Sequence, residues 1–184
     1  MRIHMLRKIF LLSVLSLFTL AEARTKDMFA EEKAENLKYN TTIRSFMKDN
    51  ERITKLVYGA YAHAVFPTVG KGSAIFGYAS GEGRTYYRGG IWNGNVSVSQ
   101  YSFGVQVGGS AYSQIIFFKT RDAFERFKLG HIEDSTQSSL VPFYSGISGD
   151  VNFDKDVEVY TSMKGGFMLE ASTGTQVFKF TPKP

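Results

Sequence analysis

The stretch Ala60–Gly83 constrains the fold of this chain more than any other part. An apolar pattern with helical spacing runs into Phe66-Pro67, and glycines then recur at positions 70, 72, 77, 81 and 83. Glycine suits turns and close backbone contacts but weakens long helices. All 18 glycines lie in the range Gly59–Gly174. The sequence therefore predicts a helical start followed by a glycine-rich sheet.

The N-terminus has the pattern of an export signal. Arg2, Arg7 and Lys8 precede the apolar run Ile9–Leu20, and Ala21-Glu22-Ala23 places small residues where a signal peptidase cleaves. The apolar run is shorter than the roughly 20 residues that span a bilayer. We expect residues 1–23 to be a cleaved signal peptide and the mature protein to be periplasmic or secreted. An uncleaved anchor is the alternative.

The composition narrows the class of partner. Cleavage removes three basic residues and one acidic residue, which lowers the formal net charge from +5 to +3. An exported, mildly basic protein is a poor candidate for binding nucleic acid. The chain contains no cysteine, so disulfides cannot stabilise it and it lacks the acceptor for a lipoprotein anchor.

A basic helix face is the one group of side chains that suggests a ligand. Apolar residues between positions 42 and 64 lie within one arc at 3.6 residues per turn, and residues 24–41 form a charged segment before them. Arg44, Lys48, Arg52 and Lys55 lie within about 80° of one another on the opposite side. With Lys71 at the turn into the sheet, we expect them to bind anionic lipid headgroups. A solvated helix face, partly neutralised by Glu51, is the alternative.

The remaining sequence indicates strands and one short helix. Thr120–Leu129 has a helical pattern that Thr120 can cap. The runs rich in aromatic and β-branched residues are Ser73–Ala79, Arg84–Gly90, Val96–Tyr101, Phe103–Val107, Gln114–Phe118, Ser138–Tyr144, Val157–Met163, Phe167–Ala171 and Thr175–Phe180. Predicted turns are Gly81-Glu82-Gly83, Gly89-Gly90, Asn93-Gly94, Gly108-Gly109, Gly165-Gly166 and Ser172-Thr173-Gly174. The expected fold is α+β: a long N-terminal amphipathic helix packed on a curved, mostly antiparallel, barrel-like sheet, with one short helix.

Motifs for catalysis or metal binding are almost absent. Gly70-Lys71-Gly72 matches neither nucleotide-binding glycine pattern, and no serine stands in a GxSxG motif. His63, expected on the helix, and His131 are isolated, so they make a weak metal site. The acidic residues of Asp150–Glu158 lack EF-hand spacing and read as a solvated loop, with calcium binding as the alternative. We expect no enzymatic activity, no cofactor and no metal.

Five stretches carry a resemblance to a known family. They are the helix running into AYAHAVFP, KGSAIFGYASGEG, SFGVQVGGSAYSQIIFF, TRDAFERFKLG and VEVYTSMKGGFMLEASTGTQV. In this order and spacing, from about Ile43 to Phe180, the chain resembles a SYLF lipid-binding domain, which we place at residues 42–184. It departs from the family pattern at Ser73, Val141 and Glu170, where glycines are usual. The family is associated with phospholipids, and in eukaryotes with phosphoinositides and actin.

Three hypotheses follow from the residues and the resemblance. The first is non-enzymatic binding of phospholipid or an anionic membrane surface by an exported SYLF-like domain. The second is a structural or protein-interaction module of the envelope that uses an exposed sheet edge and binds no lipid. The third, and weakest, is a lipid hydrolase that uses an acidic cluster with His131.

Overall fold

The structure is a computed structural model that describes residues 2–48, 50–72, 76–107, 110–129, 141–144, 151–154, 156–165 and 169–183. Its elements are α1 (Arg2–Lys48), α2 (Glu51–Gly59), β1 (Ala62–Gly72), β2 (Phe76–Tyr87), β3 (Ile91–Val107), β4 (Ser110–Phe118), α3 (Arg121–Lys128), β5 (Val141–Tyr144), β6 (Val151–Asp154), β7 (Val157–Gly165) and β8 (Leu169–Pro182). The chain divides into two compact units, Met1–Lys38 and Tyr39–Pro184. The first unit is helical and the second contains the sheet. Within the described ranges, no helix has the length and apolar content needed to cross a bilayer.

The strands form a single antiparallel sheet in the order β5-β8-β3-β2-β1-β4-β7-β6. Its two edge strands, β5 and β6, have four residues each. The sheet is not closed in the described part, because each edge strand pairs with one neighbour only. The predicted α+β class is confirmed, with a long N-terminal helix and an antiparallel sheet.

One side-chain contact shows how strongly this sheet curls. The Nε2 amide of Gln114 in β4 donates to Oε1 of Gln176 in β8 at 3.0 Å, with both side chains fully buried. Three strands lie between β4 and β8, so a flat sheet would place these residues about 19 Å apart at a strand spacing of about 4.8 Å. The sheet must therefore curl until its concave face meets itself, which gives the barrel-like shape without closure.

Residues on the two faces of the sheet pack into two separate cores. The inner core, on the concave face, contains Phe66, Ile116 and Phe118 together with Phe124 and Phe127 of α3. In the outer core, the other face of the central strands packs against α1 and α2. Its buried members are Tyr39, Phe46, Ile53, Ala60, Val65, Ile115, Phe117 and Tyr160. The segments 62–66 of β1 and 115–118 of β4 are thus buried on both faces, which explains why they are apolar apart from His63.

The helix predicted to continue from residue 42 to residue 64 is wrong in two places. First, α1 ends at Lys48 and α2 begins at Glu51, because Asn50 is extended and its side chain accepts hydrogen bonds from the backbone N–H groups of Arg52 and Ile53. Asn50 is therefore an N-cap. Second, α2 ends at Gly59 and residues from Ala62 onward form β1.

The sequence of β1 matches a helical pattern because both faces of the strand are apolar. Ala62, Ala64 and Phe66 lie in the inner core, whereas Val65 lies in the outer core. His63, also expected on the helix, is in β1 and stacks on Tyr86 with 5.4 Å between ring centroids. Pro67 lies where the register of β1 shifts against both neighbours, a bulge position that tolerates the missing N–H.

The predicted turns are partly confirmed. Gly89 and Gly90 connect β2 to β3 with φ of 85° and 78°, which favours glycine. The segments 81–83, 93–94 and 172–174 lie inside strands instead, while 108–109 and 166 are outside the described residues. A Cβ on Gly83 would lie 2.6 Å from the Phe66 ring and 2.7 Å from the Val65 carbonyl oxygen. Glycine at this position allows close packing and does not form a turn.

Candidate anion-binding site

The site is built around a carboxylate that strand β7 carries into the outer core. Successive residues of a strand point to opposite faces, so Val157 enters the inner core while Glu158 and Tyr160 face the helices. The side chain of Glu158 is only 3% exposed. The sequence places Glu158 both at the end of an acidic loop and in the predicted strand Val157–Met163. The strand is confirmed and the loop is wrong at this position, because Glu158 is the second residue of β7. Of the other acidic residues in that segment, Asp150 lies outside the described residues.

Four donor interactions stabilise this carboxylate. Arg52 donates from Nε to Oε2 at 3.0 Å and from Nη2 to Oε1 at 2.8 Å, the two-pronged geometry that suits a guanidinium and a carboxylate. The Tyr160 hydroxyl donates to Oε2 at 2.7 Å. Lys119 Nζ lies 2.8 Å from Oε1. A buried charge needs such partners, because burial without them would be very unfavourable.

The three partners come from different elements. Arg52 is in the first turn of α2, where the Asn50 cap orients it. Lys119 directly follows β4, and its backbone N–H donates to the carbonyl oxygen of Asp156 at 2.8 Å, which holds it beside the start of β7. Tyr160 follows Glu158 on the same face of β7. The site therefore forms only when α2, β4 and β7 are assembled.

The partners also set the protonation of Glu158. The hydrogen bonds from Arg52, with smaller contributions from Lys119 and Tyr160, outweigh desolvation and lower the pKa of Glu158 from 4.5 to about 2. The same contact raises the pKa of Arg52 above its ordinary value. The carboxylate is therefore ionised at any physiological pH, and it holds the two cations in place.

A pocket of about 380 Å³ opens beside this cluster, and we call it the α2 pocket. Its lining consists of Arg52, Lys55, Leu56, Gly59, Ala60, Lys119 and Glu158. Three cationic side chains and one carboxylate thus face one cavity with an apolar wall. Lys55 also pairs with Glu51 at 2.9 Å, and both of these side chains are largely exposed. The excess of positive charge makes an anion the ligand that the pocket suits best.

The four residues of the predicted basic helix face, Arg44, Lys48, Arg52 and Lys55, are divided between α1 and α2. Arg44 and Lys48 are exposed on α1 and form no ion pair with any described residue. Arg52 and Lys55 lie on α2, beyond the break at Asn50, and each has a carboxylate partner. Lys71 was expected at a turn between helix and sheet, but it lies within β1, and its side chain is outside the described residues.

Sequence reasoning missed Lys119, Glu158 and Tyr160. A signal for the last two was present, because a charged and an aromatic residue alternate with valines in the predicted strand, which places Glu158 and Tyr160 on one face. No local pattern connects them to Arg52, which is 106 residues from Glu158 in the chain. Arg88 was missed as well. Its side chain donates to the carbonyl oxygens of Gly59 and Ala60 at 2.7 and 3.3 Å.

The described histidines and acidic residues do not come together as a metal site. In the part of the chain that the structure describes, no group of three or more histidine, aspartate or glutamate side chains is close enough to hold a metal ion. His63 is buried against aromatic rings, and burial lowers its pKa from 6.5 to about 4. His131, the residue of the hydrolase hypothesis, is outside the described residues.

No family model matches the chain, and neither a curated protein nor a solved structure matches it. The likeness to SYLF domains thus rests on the sequence stretches given above.

Proposed function

We propose that this protein is exported and binds phospholipid, or an anionic membrane surface, without catalysing a reaction. The sequence resemblance to SYLF domains motivates the proposal. The observation that carries it is the presence of two exposed cations on α1, Arg44 and Lys48, which have no ion-pair partner among the described residues. Exposed cations near an anionic bilayer each contribute about 1 kcal/mol of attraction.

The solvent-facing side of α1 and α2 is the surface that would meet the membrane. The inward sides of α1 and α2 carry Phe46 and Ile53 into the outer core, so Arg44, Lys48 and Lys55 face solvent on the other side. This arrangement supports weak, salt-sensitive binding, because three accessible cations are few and salt screens exposed charges. The alternative of a protein-interaction module acting through a sheet edge has less support. Both edges are short, and β5 contains Pro142, which cannot donate a ladder hydrogen bond.

Vesicle co-sedimentation tests the proposal. The purified protein should sediment with vesicles of phosphatidylcholine and phosphatidylglycerol more than with phosphatidylcholine alone, and less at high than at low salt. The double variant Arg44→Gln/Lys48→Gln should lose most of this difference. Arg121→Gln/Lys179→Gln is the matched control, because it removes two exposed charges from other elements. Equal sedimentation with both vesicle types, or an equal loss in the control, would contradict the proposal.

Export has its own test. Expression with the native N-terminus followed by intact mass measurement should give a chain that begins at Arg24. A full-length product that stays with the membrane fraction would instead support the uncleaved anchor. Phospholipid composition should be unchanged after long incubation with the protein, and appearance of hydrolysis products would favour the enzyme hypothesis.

A further inference from the structure

We infer that the α2 pocket binds a phosphate group, carried either by a lipid headgroup or by a small soluble phosphate ester. The lipid source deepens the proposed function and depends on it, whereas the soluble source does not. This site lies apart from the exposed cations of α1. The inference rests on the charge of the pocket, the fixed orientation of Arg52, the positive charge that offsets the C-terminus of α2, and the volume of the pocket.

The first argument is charge. The pocket is lined by Arg52, Lys55 and Lys119 against Glu158 alone. Glu51 lies opposite Lys55, but both side chains of that pair are more than 70% exposed, so water weakens their attraction. A phosphate could therefore attract Lys55 away from Glu51 without leaving any buried charge unpaired.

The second argument is that Arg52 is held in place with donors to spare. Nε and Nη2 bond to Glu158, which uses two of the five N–H groups of the guanidinium, and the side chain is 57% exposed. A guanidinium fixed on one edge presents its other N–H groups in a set direction, which is how arginine recognises phosphate. Ordering Arg52 in advance lowers the entropy cost of binding.

The third argument concerns the C-terminus of α2, which borders the pocket. The last carbonyl groups of a helix carry partial negative charge and would repel an anion. Arg88 donates to the carbonyl oxygens of Gly59 and Ala60, so a cation offsets this end of the helix. With that interaction the pocket wall no longer opposes a bound phosphate.

The fourth argument is space. A volume of about 380 Å³ equals roughly a dozen waters at about 30 Å³ each, which accommodates a phosphate with a short carbon chain. Leu56 and Ala60 supply apolar surface for that chain. A Cβ built on Gly59 meets nothing within 4 Å, so this residue leaves part of the wall open. A side chain can therefore begin at this residue without a clash at its Cβ.

Two variants test the pocket without removing the partners of buried Glu158. Lys55→Gln removes a lining cation, and Gly59→Leu fills space at the wall. Lys179→Gln, an exposed charge on β8, is the matched control. Isothermal titration with glycerol 3-phosphate should show binding to the unmodified protein, about tenfold weaker binding to each pocket variant, and less than about a twofold change in the control. Thermal unfolding of each variant confirms that it is folded.

A second experiment distinguishes the two possible sources of the phosphate. Vesicles of phosphatidylcholine with phosphatidic acid report lipid phosphate, and glycerol 3-phosphate reports soluble phosphate. If pocket variants weaken both, the pocket holds a headgroup. If the protein binds glycerol 3-phosphate but no vesicles, the pocket inference stands and the proposed function falls. The inference is overturned if no glycerol 3-phosphate binds, or if both pocket variants bind both probes as tightly as the control does. In that case, loss of vesicle binding only in Arg44→Gln/Lys48→Gln would leave the proposed function intact.

Discussion

Arg52 and Glu158 form two hydrogen bonds although 106 residues of chain separate them. The pair joins α2 to β7 at the border of the outer core, and one partner is exposed while the other is buried. On the same helix, Lys55 pairs with Glu51 where both side chains are exposed. The two ion pairs of α2 thus differ in the burial of the carboxylate and in the number of donors that it accepts from.

We expect Glu158→Gln to lower the free energy of unfolding by about 2 kcal/mol, because it removes charge-assisted hydrogen bonds to a buried acceptor. Lys55→Gln should change it by less than about 0.5 kcal/mol, as is usual for an exposed pair. Arg52→Lys keeps the charge but loses the two-pronged contact, so its effect on the free energy of unfolding should lie between those of the other two variants. Urea unfolding monitored by circular dichroism measures all three. Similar effects of Glu158→Gln and Lys55→Gln would contradict the burial of Glu158.

Stability should depend on pH through His63. Its pKa falls from 6.5 to about 4 on burial, so between these values the unfolded chain binds a proton that the folded chain does not. Stability is therefore complete above about pH 6.5 and decreases as the pH falls towards 4, by about 3 kcal/mol in all. His63→Gln should remove this decrease. An unchanged pH profile in that variant, from urea midpoints at pH 7, 5.5 and 4, would exclude His63 as the cause.

A separate loss of stability should appear in stronger acid. The pKa of Glu158 is lowered to about 2 from 4.5, so its stabilising contribution is complete above pH 4.5 and is lost as the pH falls towards 2. Glu158→Gln should flatten this part of the profile and leave the part between pH 6.5 and 4.5 unchanged. Urea midpoints between pH 4 and 2.5, below the range in which His63 titrates, provide the measurement. If stability still falls with pH in that range in the variant, other carboxyl groups are responsible for the loss.

The close approach of β1 and β2 can be tested with two glycines. Gly83→Ala would place a Cβ against the Phe66 ring and the Val65 backbone, so we expect a loss of about 1–3 kcal/mol from overpacking. Gly70→Ala is the matched control, because a Cβ there meets nothing within 4 Å, and it should be neutral or slightly stabilising. Thermal unfolding distinguishes the two variants. Equal melting temperatures would mean that β2 lies farther from β1 than described.

The curl of the sheet can be tested through Gln114 and Gln176. The latter also donates to Gln100 Oε1 at 3.1 Å, and Tyr112 donates to the same oxygen at 2.7 Å. Each single change to leucine leaves buried polar groups unpaired and should cost about 1–3 kcal/mol. The double variant should cost less than the sum of the two, because residues in contact are coupled. Additive effects in the double-mutant cycle would contradict the contact across the concave face.

Several features of the fold could be read directly from the sequence because they depend on neighbouring residues. Thr120 accepts from the Ala123 backbone N–H and caps α3 as predicted. Gly89 and Gly90 form the predicted turn. The pairing of Glu51 with Lys55 follows from their spacing of four residues in a helix. Asn50 carries an equally local signal, since asparagine is a preferred N-cap, but the helical periodicity on both sides of Asn50 hides it.

Other features depended on contacts between distant parts of the chain. Residues 62–66 match a helix or a strand by periodicity, and they are a strand because β2 and β4 pair with both of their sides. The α2 pocket likewise needs β7 in its observed register before Glu158 can reach Arg52. Capping and turn formation satisfy hydrogen bonds within about four residues, so local sequence was sufficient for them. A buried ion pair has to offset its own desolvation with partners from elsewhere in the chain, and only the assembled sheet brings those partners within 3 Å.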